Sequence, residues 1–168
     1  MKGTIVVNIP KCVGCHSCEL ACAVEHSLSK NLYQAVSESP RPQKRVEVEC
    51  YGRTNLPLQC RHCADAPCVR VCPTSALYKQ DQGEVVLVDQ PKCIGCKWCV
   101  LACPFGVITL GFDDKAVIKC DLCLERAGRN EEPACVEGCP TGALELATVE
   151  EAARSKRREF LVEFLREE

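Results

Sequence analysis

Sixteen of the seventeen cysteines in this 168-residue chain sort into four sets of four. The first set is Cys12, Cys15, Cys18 and Cys22, and the second is Cys60, Cys63, Cys68 and Cys72. The third is Cys93, Cys96, Cys99 and Cys103, and the fourth is Cys120, Cys123, Cys135 and Cys139. Only Cys50 stands outside them. A chain with four Phe, three Tyr and one Trp has few large side chains with which to fill a core, so the cysteines and whatever they bind must supply much of that volume.

A secreted disulfide scaffold is the first reading such a count invites. The odd number argues against it, as does the N-terminus, Met1 to Asn8, which has no apolar stretch of signal-peptide length and no twin-arginine pair. Cysteines two residues apart are also poorly placed to bridge one another and well placed to surround one metal centre. Zinc is the main competing metal. Structural zinc sites use two short Cys pairs separated by a longer spacer. The second and fourth sets fit that description through Cys60-x₂-Cys63 and Cys120-x₂-Cys123, whereas the first and third do not.

The sets recur in pairs, an internal repeat. Pro10-Lys11-Cys12-Val13-Gly14-Cys15 and Leu20-Ala21-Cys22 return as Pro91-Lys92-Cys93-Ile94-Gly95-Cys96 and Leu101-Ala102-Cys103. Cys68-Val69, Cys72-Pro73-Thr74 and Ala76-Leu77 return as Cys135-Val136, Cys139-Pro140-Thr141 and Ala143-Leu144. The third set has the C-x₂-C-x₂-C-x₃-C-P spacing of bacterial ferredoxins, in which three thiolates on one loop hold three corners of an iron–sulfur cube and the fourth reaches another cube. The first set has it too, except that Ala23 stands where proline is usual. Gly14 and Gly95 are expected to let the backbone approach the sulfur atoms. Exchange of fourth ligands allows the four sets to pair in an adjacent or a nested order, and spacing does not choose between them.

Local patterns place these sets. Thr4–Ile9 and Glu84–Val88 read as strands, with Val107–Leu110, Ala116–Ile118 and Ala143–Leu146 as weaker ones. Each cysteine set reads as a loop running into a short helix that carries its last cysteine, and proline after Cys72, Cys103 and Cys139 ends those turns. Residues 37–45 form a polar loop. Thr148 and Glu151 have capping-box spacing ahead of a charged helix whose apolar stripe, Ala152, Ala153, Phe160, Leu161, Phe164 and Leu165, is expected to pack on its own domain, with docking of a partner subunit as the alternative.

The formal charge of −2 counts every cysteine as a thiol. Each filled [4Fe–4S] site adds about −2, which would take the loaded chain to roughly −10 and disfavours nucleic acid as a partner. No run of 18 apolar residues occurs, so direct membrane insertion is not expected. Neither a GxGxxG motif nor a P-loop occurs, and no nucleophile triad or paired-carboxylate pattern can be argued. Cys50, in an alternating run from Val46, reads as a buried structural thiol. His62 reads either as a hydrogen-bond donor to cluster sulfur or as a solvent-facing residue, and Trp98 as a water shield. His16 and His26 lack a carboxylate or nucleophile pattern. Lys11, Lys92, Lys97 and Lys119 adjoin cysteines, where a positive charge would raise a cluster's potential unless they are solvated.

On these motifs, from about Val7 to Leu146, the chain resembles the four-cluster ferredoxin-like electron-transfer subunits of complex oxidoreductases, including the beta subunits of molybdenum and tungsten enzymes. Cys18-Glu19-Leu20-Ala21-Cys22-Ala23-Val24-Glu25-His26-Ser27 and Leu56-Pro57-Leu58-Gln59-Cys60-Arg61-His62-Cys63 are most similar to the iron–sulfur protein that accompanies carbon monoxide dehydrogenase. The resemblance implies an α+β fold of two pseudo-symmetric bacterial-ferredoxin-like modules with nested cysteine pairing, plus a C-terminal amphipathic helix. It implies four [4Fe–4S] clusters, held by Cys12, Cys15, Cys18 and Cys139; by Cys120, Cys123, Cys135 and Cys22; by Cys93, Cys96, Cys99 and Cys72; and by Cys60, Cys63, Cys68 and Cys103. The domain of residues 1–147 would divide into an outer module, from about 1–35 and 115–147, and an inner one, about 53–112, with residues 148–168 as the helix. The implied role is non-catalytic electron relay to a carbon monoxide dehydrogenase or to a formate dehydrogenase, hydrogenase or aldehyde oxidoreductase, with a second redox protein as a further partner. An assembly or maturation factor is the alternative of a different class. With oxygen-labile cofactors and no export signal, the expected location is the cytoplasm of an anaerobic microbe.

Overall fold

The computed structural model describes residues 3–80, 85–112 and 114–166. Four two-stranded antiparallel ribbons and seven helices make up the described residues. β1 (Thr4–Val7) pairs with β8 (Leu144–Ala147), so the beginning of the chain is tied to a segment far along it, with Ile5 opposite Leu146. β2 (Val46–Tyr51) and β3 (Thr54–Gln59) form a hairpin. β4 (Leu77–Lys79) pairs with β5 (Val86–Val88), and β6 (Thr109–Leu110) with β7 (Val117–Ile118).

The first strand is shorter than the Thr4–Ile9 expectation because Pro10 opens a 3₁₀ turn at Ile9–Lys11. Gln90–Lys92 makes the same turn around Pro91 after β5. Glu84, the expected start of that strand, lies outside the described residues.

The helices are short, and they correct one expectation. α1 (Ser17–Glu25), α3 (Pro67–Arg70), α4 (Trp98–Ala102) and α6 (Ala134–Glu137) each carry the third cysteine of a set: Cys18, Cys68, Cys99 and Cys135. Of the four last cysteines only Cys22 lies inside a helix, since α3, α4 and α6 have ended by Cys72, Cys103 and Cys139. α2 (Leu32–Ala35) is capped by the Asn31 side chain, which accepts from the N–H groups of Tyr33 and Gln34. α5 (Leu124–Gly128) follows Cys123.

Two apolar cores result. One gathers Ile5, Cys18, Cys22, Val46, Val48, Leu122, Cys135 and Leu144; the other gathers Cys68, Leu77, Val86, Cys99, Ile108 and Val117. Cysteine is a large part of both, which answers the shortage of aromatics.

α7 (Val149–Phe164) begins at a complete capping box. Thr148 Oγ1 accepts the Glu151 N–H, and the Glu151 carboxylate accepts the Thr148 N–H. The expectation that its stripe packs on its own domain is not met. No residue of α7 is buried, and Phe160, Leu161, Phe164 and Leu165 are all exposed because only the start of the helix meets β8. Phe160 and Phe164 stack on each other at 6.1 Å between ring centres.

Candidate metal centres

The cysteine loops are built on repeated backbone geometry. Gly14 and Gly95 both have φ +69°, and the next-but-one residues, His16 and Lys97, are left-handed at +59° and +66°. Both glycines have close neighbours across the loop. A Cβ on Gly95 would lie 2.5 Å from the Lys115 carbonyl oxygen, and one on Gly14 would lie 2.9 Å from the Asn55 side chain. Both loops are pressed against a facing segment, and their conformation favours residues without a side chain.

The chain gathers cysteines from different sets. One small cavity is lined by Cys72 together with Cys93, Cys96 and Cys99. A second is lined by Cys103 together with Cys60, Cys63 and Cys68. In each, three thiols of one set meet the last thiol of another. Around the first core, Cys15 and Cys18 lie within electrostatic reach of Cys139, and Cys135 within reach of Cys120, Cys22 and Cys123. Cys12 closes the first 3₁₀ turn, its carbonyl accepting from the Asn55 amide.

Polar donors aim at sulfur in matched pairs. The His62 N–H donates to Cys60 Sγ and the Leu122 N–H to Cys120 Sγ, both at 3.4 Å. Leu77 N–H reaches Cys72 Sγ at 3.5 Å and Ala143 N–H reaches Cys139 Sγ at 3.2 Å. The Thr74 and Thr141 hydroxyls lie 3.8 and 3.7 Å from the same two sulfurs. For Cys72 and Cys139 these donors outweigh burial and bring both thiols below their usual range. The third cysteines behave in the opposite way. Burial pushes Cys18 and Cys99 up to about 11, and raises Cys68 and Cys135 as well. Cys120 and Cys123 are pushed up to about 12 and about 11, again by burial. A cation among them would favour ionisation of these buried thiols.

The donor sets are therefore all sulfur, walled by apolar side chains and supplied with N–H groups that stabilise thiolate charge. They fit a thiolate-bound iron–sulfur cluster. Four thiols would also satisfy a closed zinc site, so the donor set by itself does not separate the two metals. A family model described as a 4Fe–4S dicluster domain matches residues 53–149. The chain belongs to the 4Fe–4S dicluster family. An iron–sulfur protein of Rhodospirillum rubrum is 42% identical over 158 residues, which cover 87% of this chain and 82% of that one. The thiosulfate reductase electron transfer subunit PhsB of Salmonella typhi is 36% identical over 143 residues, 84% of this chain and 73% of the relative. A sulfite dehydrogenase subunit of Allochromatium vinosum is 37% identical over 158 residues, 83% of this chain and 65% of the relative. Of two much longer relatives from Escherichia coli, 41% and 44% identical, the chain spans only 22% and 21%. Membership of the dicluster family favours iron–sulfur over zinc for the gathered thiols.

Several residues around the dicluster thiols differ from expectation. Cys50 is exposed. Its side of β2 faces inward at Val46 and Val48, but the hairpin has run past the core by the time the alternation reaches residue 50. Trp98 is 64% exposed. His62 is not solvent-facing: it is 8% exposed, and its Nδ1 accepts the Val86 N–H at 3.0 Å. Burial, aided by the Lys119 charge, pulls it down to about 3, so the ring is neutral. Lys11 and Lys92 are surface residues paired with Glu145 and Asp89, whereas Lys119 is 3% exposed.

His26 does have a carboxylate partner. Its Nε2 lies 3.2 Å from Asp121 Oδ1, its Nδ1 donates to the Cys22 carbonyl at 2.7 Å, and the Arg45 guanidinium holds the other Asp121 oxygen. The Arg45 N–H also donates to Cys22 Sγ at 3.2 Å. Although His26, Asp121 and Cys123 offer ligand atoms within 4.8 Å of one another, Arg45 already neutralises the aspartate, and the group reads as support for Cys22. Sequence reasoning missed this group, because Arg45 and His26 stand 76 and 95 residues from Asp121 and only the fold brings them together.

Proposed function

We propose that this chain is a non-catalytic electron-transfer subunit that relays single electrons through four [4Fe–4S] clusters to or from a separate catalytic oxidoreductase subunit. The observation that carries this reading is the lining of two cavities by thiol quartets that each mix two sequence sets. Ligation follows the nested order. Cys12, Cys15, Cys18 and Cys139 hold one cluster, and Cys120, Cys123, Cys135 and Cys22 hold its neighbour. Cys93, Cys96, Cys99 and Cys72 hold the third, and Cys60, Cys63, Cys68 and Cys103 the fourth. The pairing of β1 with β8 supports an outer module, from about 1–35 and 115–147, around an inner one at about 53–112, and the cores interleave them, with Val85 in the first and Val117 in the second.

When bound, each cluster supplies a one-electron couple. The protein's own part is to hold thiolate charge and exclude water. Leu77, Ala143, Thr74 and Thr141 place donors on the two crossing thiols Cys72 and Cys139, and Val86, Ile108 and Val117 wall the inner cavities.

The stretches Cys18–Ser27 and Leu56–Cys63 favour carbon monoxide dehydrogenase as the catalytic partner. The names of the relatives above support a sulfur-oxyanion oxidoreductase as the second choice. No helix among the described residues is long and apolar enough to cross a membrane, and thiolate clusters suit the reducing cytoplasm of an anaerobe. The test is anaerobic purification at native abundance. Iron and acid-labile sulfide should each reach about sixteen per chain, and a catalytic subunit should co-purify and name the partner. Zinc in place of iron, or about eight iron atoms, would overturn the four-cluster reading.

A further inference from the structure

Lys119 is the most unusual charge in the molecule. It follows β7 directly, is 3% exposed, and donates through Nζ to two carbonyl oxygens, those of Val86 and, at 2.7 Å, Cys120. Among the described residues no carboxylate pairs with it. The nearest acid along the chain, Asp121, is committed to Arg45 and His26. A buried cation without a counter-ion is costly, and two carbonyl dipoles offset only part of that cost. Its surroundings show where compensating negative charge would come from.

The two carbonyls belong to different sites. Cys120 is one of the Cys22, Cys120, Cys123 and Cys135 quartet. Val86 lines the cavity framed by Cys60, Cys63, Cys68 and Cys103. His62, whose ring Nδ1 accepts the Val86 N–H, leaves its buried Nε2 without a hydrogen-bond partner among the described residues. The junction between the two cores therefore holds a buried cation and an imidazole, and the carboxylate nearest along the chain, Asp121, is already paired with Arg45 and His26.

We propose that the Lys119 ammonium is a fixed positive charge shared by the two cluster sites on either side of it and holds both of their reduction potentials up. Its counter-charge is the thiolate-bound clusters themselves, whose added electron it stabilises. Net charge near a cluster is one of the main levers on its potential, and the lever is strong where water is excluded. Lys119 thus acts as a positioning residue for charge at the crossing from one core to the other. The inference rests on the four-cluster reading above.

The test is an EPR-monitored redox titration of anaerobically purified full-length protein. Lys119→Gln keeps amide donors for the two carbonyls and removes only the charge. It should lower the reduction equilibrium constant at least tenfold, about 59 mV for a one-electron couple, at two of the four clusters and leave the other two in place. Four unchanged potentials, or a uniform shift of all four, would overturn the proposal. If Lys119→Gln retains no iron, Lys119→Arg decides instead. Clusters at unsubstituted potentials support a shared charge, whereas loss of clusters there too means that the site needs the shape of lysine, and the proposal fails. Fewer than four clusters in the unsubstituted protein would sink the underlying reading, and with it any pairing of sites across Lys119.

Discussion

The first and third cysteine loops begin as near copies and end differently. Both open on a 3₁₀ turn, share φ +69° at glycine, and start a helix at a left-handed residue. In the third loop Pro104 follows the last cysteine, and α4 stops after five residues. In the first loop Ala23 takes that place and α1 runs for nine. The four extra residues have consequences. Glu25 pairs with Arg126 and Lys30, and His26 reaches Asp121. Earlier in the same helix Glu19, where the third loop has Val100, accepts the Val48 N–H at 2.6 Å and binds Lys44. One loop is fastened by ion pairs to distant segments, and the other is fastened by apolar packing. Repeats can share a metal-binding frame and still be anchored by different physics.

Breaking the frame itself should have the largest effect. Cys22→Ser and Cys103→Ser are each expected to lose about four of about sixteen iron atoms, measured as iron per chain. Cys22→Ser should also lower the denaturant midpoint of the remaining iron–sulfur absorbance, because Cys22 belongs to the first core and carries the Arg45 bond. Cys103 ends a helix beside a cavity and should cost iron alone. Total iron loss from either variant would mean that the two cores do not fill independently.

Next comes the residue that separates the loops. Ala23→Pro imposes the third loop's stop on the first and removes a helical hydrogen bond, at a cost of about 3 kcal/mol, read from the same denaturant midpoint. The reverse change, Pro104→Ala, should move stability by less than about 0.5 kcal/mol. Gly106, at φ +63°, still ends the turn two residues later. Equal costs in the two directions would show that helix length is not what distinguishes the anchors.

Much of this was legible in the sequence, for identifiable reasons. Spacing sorted the cysteines, β-branched runs located β1, β5 and β7, and Thr148 with Glu151 marked the start of α7. The hairpin was only half legible: Val46 and Val48 alternate, but Pro57 in the facing strand reads against a strand. The proposed nested order rests on the family resemblance, because local spacing carries no information on which loops meet. The burial of Lys119 and the Arg45–Asp121–His26 group were invisible for the same reason. Each depends on segments brought together only by the fold. Cys50 shows the opposite failure, since a correct alternation says which face a residue takes and not how far the core extends.

The gentlest comparison is between the two loop glycines. Both are left-handed, so alanine at either costs about 1–2 kcal/mol for the backbone alone. At Gly14 the new methyl would meet the Asn55 side chain, which can swing away, and the total should stay near that value. At Gly95 it would meet the Lys115 backbone, which cannot move without disturbing the turn into β7. Overpacking there adds about 1–3 kcal/mol. Denaturant midpoints of Gly14→Ala and Gly95→Ala, taken on protein of equal iron content, should place Gly95→Ala clearly lower. A matched pair of values would mean that the facing segment yields at both loops, and the close approach at residue 95 would lose its structural meaning.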